Sequence, residues 1–322
     1  MTLFLARFAL AQEPPPLEVV EAAPADPEEL LHLARERLRH GDYEGVRLLC
    51  AQAVELPGDH QRTAQYLEAM AYEYGGELQD AIALYDALVA AYPAGEVPDD
   101  LRFRRAECLG RLGRLDEARS ELARLPRADR PPLDQLKIAV LEGTWDLELG
   151  KQRRGYRELT RALDGAEAGV GTYYQASARH ALLASAVTLA GELPFEGSDR
   201  AKGKALALRA QLLQSANDQL AEIILTEETS FSLSGFVLLA HAYRALGHDL
   251  LNESPIRGLT DEQLALNRSL LEERVESVWT RATLYYDRGL QLAARMDWTH
   301  EPVPTMVSEY RALVAEVDAL TR

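Results

Sequence analysis

The side chains best suited to chemistry are few and scattered. His241 and His248 stand seven residues apart, two helical turns, so both imidazoles would lie on roughly one face of a helix, where two nitrogen ligands could share a metal ion. No cysteine or acid cluster completes a zinc pattern around them, so partly exposed polar positions are the plainer account. Cys50 and Cys108 belong to no C-x-x-C pair. Both fall in amphipathic stretches, where a small buried apolar residue is expected in preference to a disulfide. Glu227-Glu228 and Glu272-Glu273 offer carboxylates, but nothing sets a pair of them around a pocket. Asp297-Trp298-Thr299-His300 reads as a helix-end cap with the tryptophan packed beneath it. The patterns G-x-x-x-x-G-K-[ST], G-x-S-x-G and H-E-x-x-H are absent. A helical hydrolase or transferase would need converging polar groups that do not appear. The expectation is a protein with no catalytic activity, no cofactor and no metal.

The elements that carry these residues are helices. Alanine, leucine, glutamate and arginine dominate the 322 residues, and they are good helix formers. Runs rich in Val, Ile and Thr, which would mark strands, are missing. The chain is 47% apolar, enough for a large core, and long enough for more than one small domain. Its net charge is −16. No stretch is expected to concentrate lysine and arginine as a phosphate neutraliser does, which argues against a nucleic-acid partner. No internal run approaches the ~18 apolar residues of a membrane span.

The first 29 residues are of a different kind. Residues 1–11, MTLFLARFALA, are apolar and close on Ala9-Leu10-Ala11, a small-x-small pattern that resembles the end of a secretory signal peptide. The stretch is short and has no basic leading region, as expected of a signal peptide truncated by a late start. Residues 12–29 carry Pro14, Pro15, Pro16, Pro24 and Pro27 with acids and no Lys or Arg, the composition of a disordered linker. Export to the periplasm or cell envelope is the expectation, with a cytoplasmic location as the alternative.

From there the chain repeats. Gly41, Gly76, Gly113 and Gly150 recur at near-constant spacing. A small residue follows each glycine at five positions on (Val46, Ala81, Ala118, Gly155), then Cys50, Tyr85, Leu122 and Leu159, then Ala53, Leu88, Leu125 and Ala162. A bulky residue stands two after the glycine at Tyr43, Leu78 and Leu115, but Gln152 takes that place in the last unit. Another small series, Ala34, Ala69, Ala106 and Gly143, precedes the glycines, as close helix crossings require. Pro57-Gly58, Pro93 and Pro126 are placed to stop the second helix of each pair.

This pattern resembles the tetratricopeptide repeat. The resemblance implies an all-α solenoid of antiparallel helix pairs over residues 30–168. It also implies a partner protein or peptide held in the concave groove of the first helices. The family's groove positions carry over to Arg35, Arg39, Tyr66, Met70, Tyr74, Phe103, Glu107 and Arg111. Aromatics at helical spacing could equally be core, and the arginines could be an ordinary solvated face.

Residues 169–322 lose the repeat spacing and predict longer helices at 171–191, 199–225, 229–252, 260–297 and 303–320, as a bundle or an extension of the solenoid. Thr260-Asp261-Glu262-Gln263 is a capping box, and Pro255 and Gly258 make the preceding turn. Ala242-Tyr243, Pro255, Gly258-Leu259-Thr260, Glu262-Gln263 and Leu270 to Glu272 are similar to the C-terminal region of large envelope tetratricopeptide proteins of myxobacteria and relatives. Some of those are scaffolds of gliding-motility machinery. The two resemblances together imply a non-catalytic envelope scaffold or adaptor. The alternative is a cytoplasmic regulator that senses a peptide or signalling domain.

Overall fold

The computed structural model describes residues 26–55, 60–92, 100–125, 130–167, 169–252 and 260–320. They form α1 (Pro27–Arg39), α2 (Tyr43–Val54), α3 (His60–Gly75), α4 (Leu78–Ala91), α5 (Leu101–Arg111), α6 (Leu115–Ala123), α7 (Pro132–Glu148), α8 (Gln152–Asp164), α9 (Thr172–Glu192), α10 (Asp199–Leu225), α11 (Thr229–Leu251), α12 (Asp261–Arg295) and α13 (Val303–Leu320). The fold is all-α, of tetratricopeptide type, with no strand among the described residues. The signal-like residues 1–11, most of the 12–29 stretch, Pro57-Gly58, Pro93, Pro126, Pro255 and Gly258 lie outside the described residues. The chain divides into two compact units between Leu112 and Gly113.

In the first unit, one turn chemistry recurs. Gly41 adopts φ +76°, a conformation that strains any residue carrying a Cβ. Its N–H reaches Leu38 O at 3.2 Å while Asp42 N–H reaches Arg37 O at 3.0 Å, which satisfies the last carbonyls of α1. The Asp42 carboxylate then accepts from Gly45 N–H at 2.9 Å and so starts α2. Gly76 repeats the device at φ +85°, with Glu77 N–H on Tyr72 O at 2.9 Å. On the helices around these turns Ala34, Ala69 and Ala106 are fully buried, as are Val46, Ala81, Cys50 and Tyr85. The small series therefore sits at the helix crossings. The linker expected over 12–29 ends earlier, because Asp26 caps Glu28 N–H at 3.0 Å and Pro27 begins α1.

In the second unit, α7 and α8 cross through glycines. A Cβ on Gly155 would stand 2.6 Å from Gly143 O, and one on Gly143 would stand 2.7 Å from Leu159. The expected boundary at 168/169 falls inside this unit. Leu136, Val140, Leu147 and Leu159 form one core with Ala178 and Leu182 of α9, so the fourth helix pair is welded to the first of the long helices. Gln152, out of pattern for a repeat, finds its reason there: its side-chain oxygen accepts from Ser185 Oγ of α9 at 2.8 Å.

The long helices pack around Leu213, Leu220, Phe236, Tyr243, Trp279 and Tyr286. The capping box at Thr260 is present, and α12 runs 35 residues, about 52 Å at 1.5 Å per residue. Gly235, Gly247 and Gly289 lie under Leu220, Trp279 and Met306 respectively, leaving room for those large side chains.

Candidate partner-binding site

The groove residues expected from the repeat register all lie in the first unit, on its odd-numbered helices. Arg35 and Arg39 are exposed on α1, and Arg39 is held by Glu36 of the same helix at 2.9 Å. Met70 is partly buried against the α1–α3 core. Phe103 and Glu107 are half-buried on α5.

Tyr66, Tyr74 and Arg111 meet around two residues the register passes over, Glu73 and Arg104. Glu73 is buried between α3 and its neighbours. Its carboxylate accepts from Tyr85 Oη at 2.6 Å and from the Arg104 guanidinium at 3.3 Å. Arg104 also reaches Asp100 at 2.9 Å and Tyr74 Oη at 3.2 Å, with its guanidinium 5.6 Å from the centre of the Tyr74 ring. Tyr66 donates to Asp100 at 2.6 Å, and Arg111 donates to the Glu73 carbonyl at 3.3 Å. Burial raises the Tyr66 phenol pKa, and the bond to Asp100 adds to the shift.

The result is a braced polar cluster whose exposed edge is Tyr74, Asp100 and Arg111. The register picked its aromatics and one arginine. It missed the buried acid and the arginine that neutralises it, because that pair spans 31 residues and follows no period. The only trace in the sequence is an acid between two tyrosines, Tyr72-Glu73-Tyr74, ahead of the arginine-rich start of α5.

The remaining candidates do structural work. Burial pushes the Cys50 and Cys108 thiols up to about 12, helped by the charges of Glu68 and Glu73 respectively, which keeps both protonated and unreactive. His241 is hydrogen-bonded to Glu309, and His248 lies 3.4 Å from Glu316, so two histidines seven apart on α11 face two carboxylates seven apart on α13. Arg244 also pairs with Glu316, and the set ties the last helix to the bundle. Among the described residues no group of three or more His, Cys, Asp or Glu could hold a metal ion, and no helix is long and apolar enough to cross a membrane.

One expectation fails at α8. Positive charge is concentrated there: Lys151, Arg153, Arg154, Arg157 and Arg161 fall within one short helix and its cap. The acidity of the whole chain hides the cluster, and the helix then gathers part of it onto one face.

The sequence profile of the tetratricopeptide repeat family matches residues 74–137. No curated protein matches the chain. Repeats of this family generally mediate protein–protein interaction and typically perform no catalysis, and the match spans α4, α5 and α6.

Proposed function

We propose that this protein is a non-catalytic scaffold or adaptor of the bacterial cell envelope that holds a partner protein or peptide on the first-helix face of its repeats. The observation that carries the reading is the repeat register itself. Small residues at Ala34, Ala69 and Ala106 bring the helices together and leave Arg35, Arg39, Tyr74 and Arg111 exposed on the first helices of successive pairs. Guanidinium groups and tyrosine rings suit an acidic or C-terminal peptide, the first by paired hydrogen bonds to carboxylates and the second by flat contact area. Tyr66 and Met70 set the floor of that face rather than its contact edge. The envelope location rests on the apolar Ala9-Leu10-Ala11 segment and the Pro-rich acidic stretch after it, together with the likeness to myxobacterial envelope proteins.

Two measurements test the reading. Tagged protein expressed from its native reading frame should fractionate with the periplasm or envelope; a purely cytosolic pool would remove the location. Arg35→Glu combined with Arg39→Glu should abolish recovery of the partner captured by wild type while the helical circular-dichroism signal stays intact. Full retention of that partner would move the binding surface off these helices.

A further inference from the structure

The cations of α8 divide into two sets. Lys151 and Arg154 are accounted for by Asp146, a carboxylate with no solvent exposure that also pairs with Arg119. Arg154 lies 3.0 Å from Asp146 and 3.1 Å from Glu158, and Lys151 lies 3.9 Å from Asp146 and 3.7 Å from Asp116. Arg153, Arg157 and Arg161 are spaced four apart, so they form one row along the outer face of the helix, with a rise of about 6 Å between neighbours. All three are exposed, and among the described residues no carboxylate holds any of them. Tyr156 lies beside the row and is 56% exposed.

Like charges four apart destabilise the helix that carries them. No carboxylate of the fold uses this row, whose one local gain is the cation Arg161 in the last turn of α8, and Arg154, about 60° around the helix from it, already supplies the cation that buried Asp146 needs. All three residues are arginine, whose planar fork matches a carboxylate at two points, where lysine offers a single charge. We propose that this face of α8, Arg153, Arg157 and Arg161 with Tyr156, docks an acidic helix of a partner protein. Carboxylates at every fourth position of such a helix rise by the same ~6 Å and meet the arginines one to one. A lipid surface fits less well, because the row has no apolar flank to insert and the −16 chain is repelled by anionic headgroups. Duplex nucleic acid meets the same repulsion. The row lies in the second unit, and its docking does not depend on the Arg35 and Arg39 face of the first.

The test is a displayed library of helical peptides, randomised on one face and selected against the full chain. Selected helices should carry Asp or Glu at every fourth position. They should bind at least tenfold more weakly to the triple variant Arg153→Ala, Arg157→Ala, Arg161→Ala. The triple variant Arg153→Lys, Arg157→Lys, Arg161→Lys should fall between, since charge is kept and the fork is lost. The lysine variant should keep the wild-type thermal midpoint and the alanine variant should match or slightly exceed it, because the side chains are exposed and alanine removes their repulsion. Binding to Arg35→Glu with Arg39→Glu should be unchanged, so a failure of one surface is told apart from a failure of the other. The proposal is overturned if no helix is selected, if the selected helices lack the acidic row, or if the alanine variant binds them within twofold of wild type. It is also overturned if phosphatidylserine vesicles or duplex DNA bind wild type more tightly than the selected helices.

Discussion

The first unit and the long helices of the second solve one packing problem in two ways. Helices that cross closely need a small residue at the crossing. In the first unit that residue is an alanine at a fixed place in each repeat, Ala34, Ala69 and Ala106, and the turn glycines keep the register. Among α10 to α13 it is a glycine, and each glycine makes room for one large side chain from another helix: Gly235 for Leu220, Gly247 for Trp279, Gly289 for Met306. A modular solution writes a period into the sequence. A set of individual fits writes none. The two regions also place polar groups differently. The first unit buries the Glu73 carboxylate inside a network, whereas the C-terminal helix is held by partly exposed pairs on its surface.

The contrast is tested most severely at the buried carboxylate. Arg104→Ala would leave Glu73 without its cation and should cost about 3 kcal/mol. Glu73→Gln combined with Arg104→Met should recover much of that loss in denaturant unfolding. An Arg104→Ala midpoint equal to wild type would mean Glu73 is solvated and the cluster is loose. Next come the crossings. Gly247→Val would drive a Cβ into the Trp279 indole, whose N–H donates to Arg244 O at 3.1 Å. It should cost about 2–3 kcal/mol, with changed tryptophan fluorescence. Ala69→Leu should cost about 1–3 kcal/mol by the same overpacking in a repeat. An Ala69→Leu midpoint equal to wild type would show that the repeats absorb volume as the bundle does not.

A smaller effect separates the caps. Thr260→Ala removes the acceptor for Gln263 N–H and should cost about 1 kcal/mol or less. Hydrogen exchange should quicken in the first turn of α12 and nowhere in the repeats. The smallest effect is a pH dependence confined to the second unit. Burial lowers the His180 pKa from its ordinary 6.5, while its ring bonds Ser234 Oγ at 2.8 Å. The unfolded chain therefore takes up the proton first. The His180 contribution is intact above pH 6.5 and is lost as the pH falls below it. His180→Gln should flatten the stability change between about pH 7 and 5.5, and an unaltered slope would show that the ring is solvated.

Much of this was legible residue by residue. The capping box placed the start of α12. Ser198, whose side chain accepts from Ala201 N–H at 3.3 Å, opens α10 where its helical pattern begins. The candidate site was half legible. Tyr66, Tyr74 and Arg111 followed from the register, while Glu73 and Arg104 did not, because an ion pair across 31 residues has no local signature. Gln152 looked like decay of the fourth unit until Ser185 of α9 supplied its partner.

The helices, their turns and the repeat register are written in the order of the residues, since they rest on interactions within a few positions: glycines that accept positive φ, caps that satisfy the first N–H groups, and small residues at a constant interval. Which polar groups are spent on the fold and which remain for a partner was settled in three dimensions. Arg154 and Arg157 are the same residue type on the same helix, three apart. Only the position of Asp146, brought in by the packing of α7 on α8, makes one a neutraliser of a buried charge and leaves the other in an exposed row. Burial and charge pairing depend on distance in space, and a sequence records distance only along the chain.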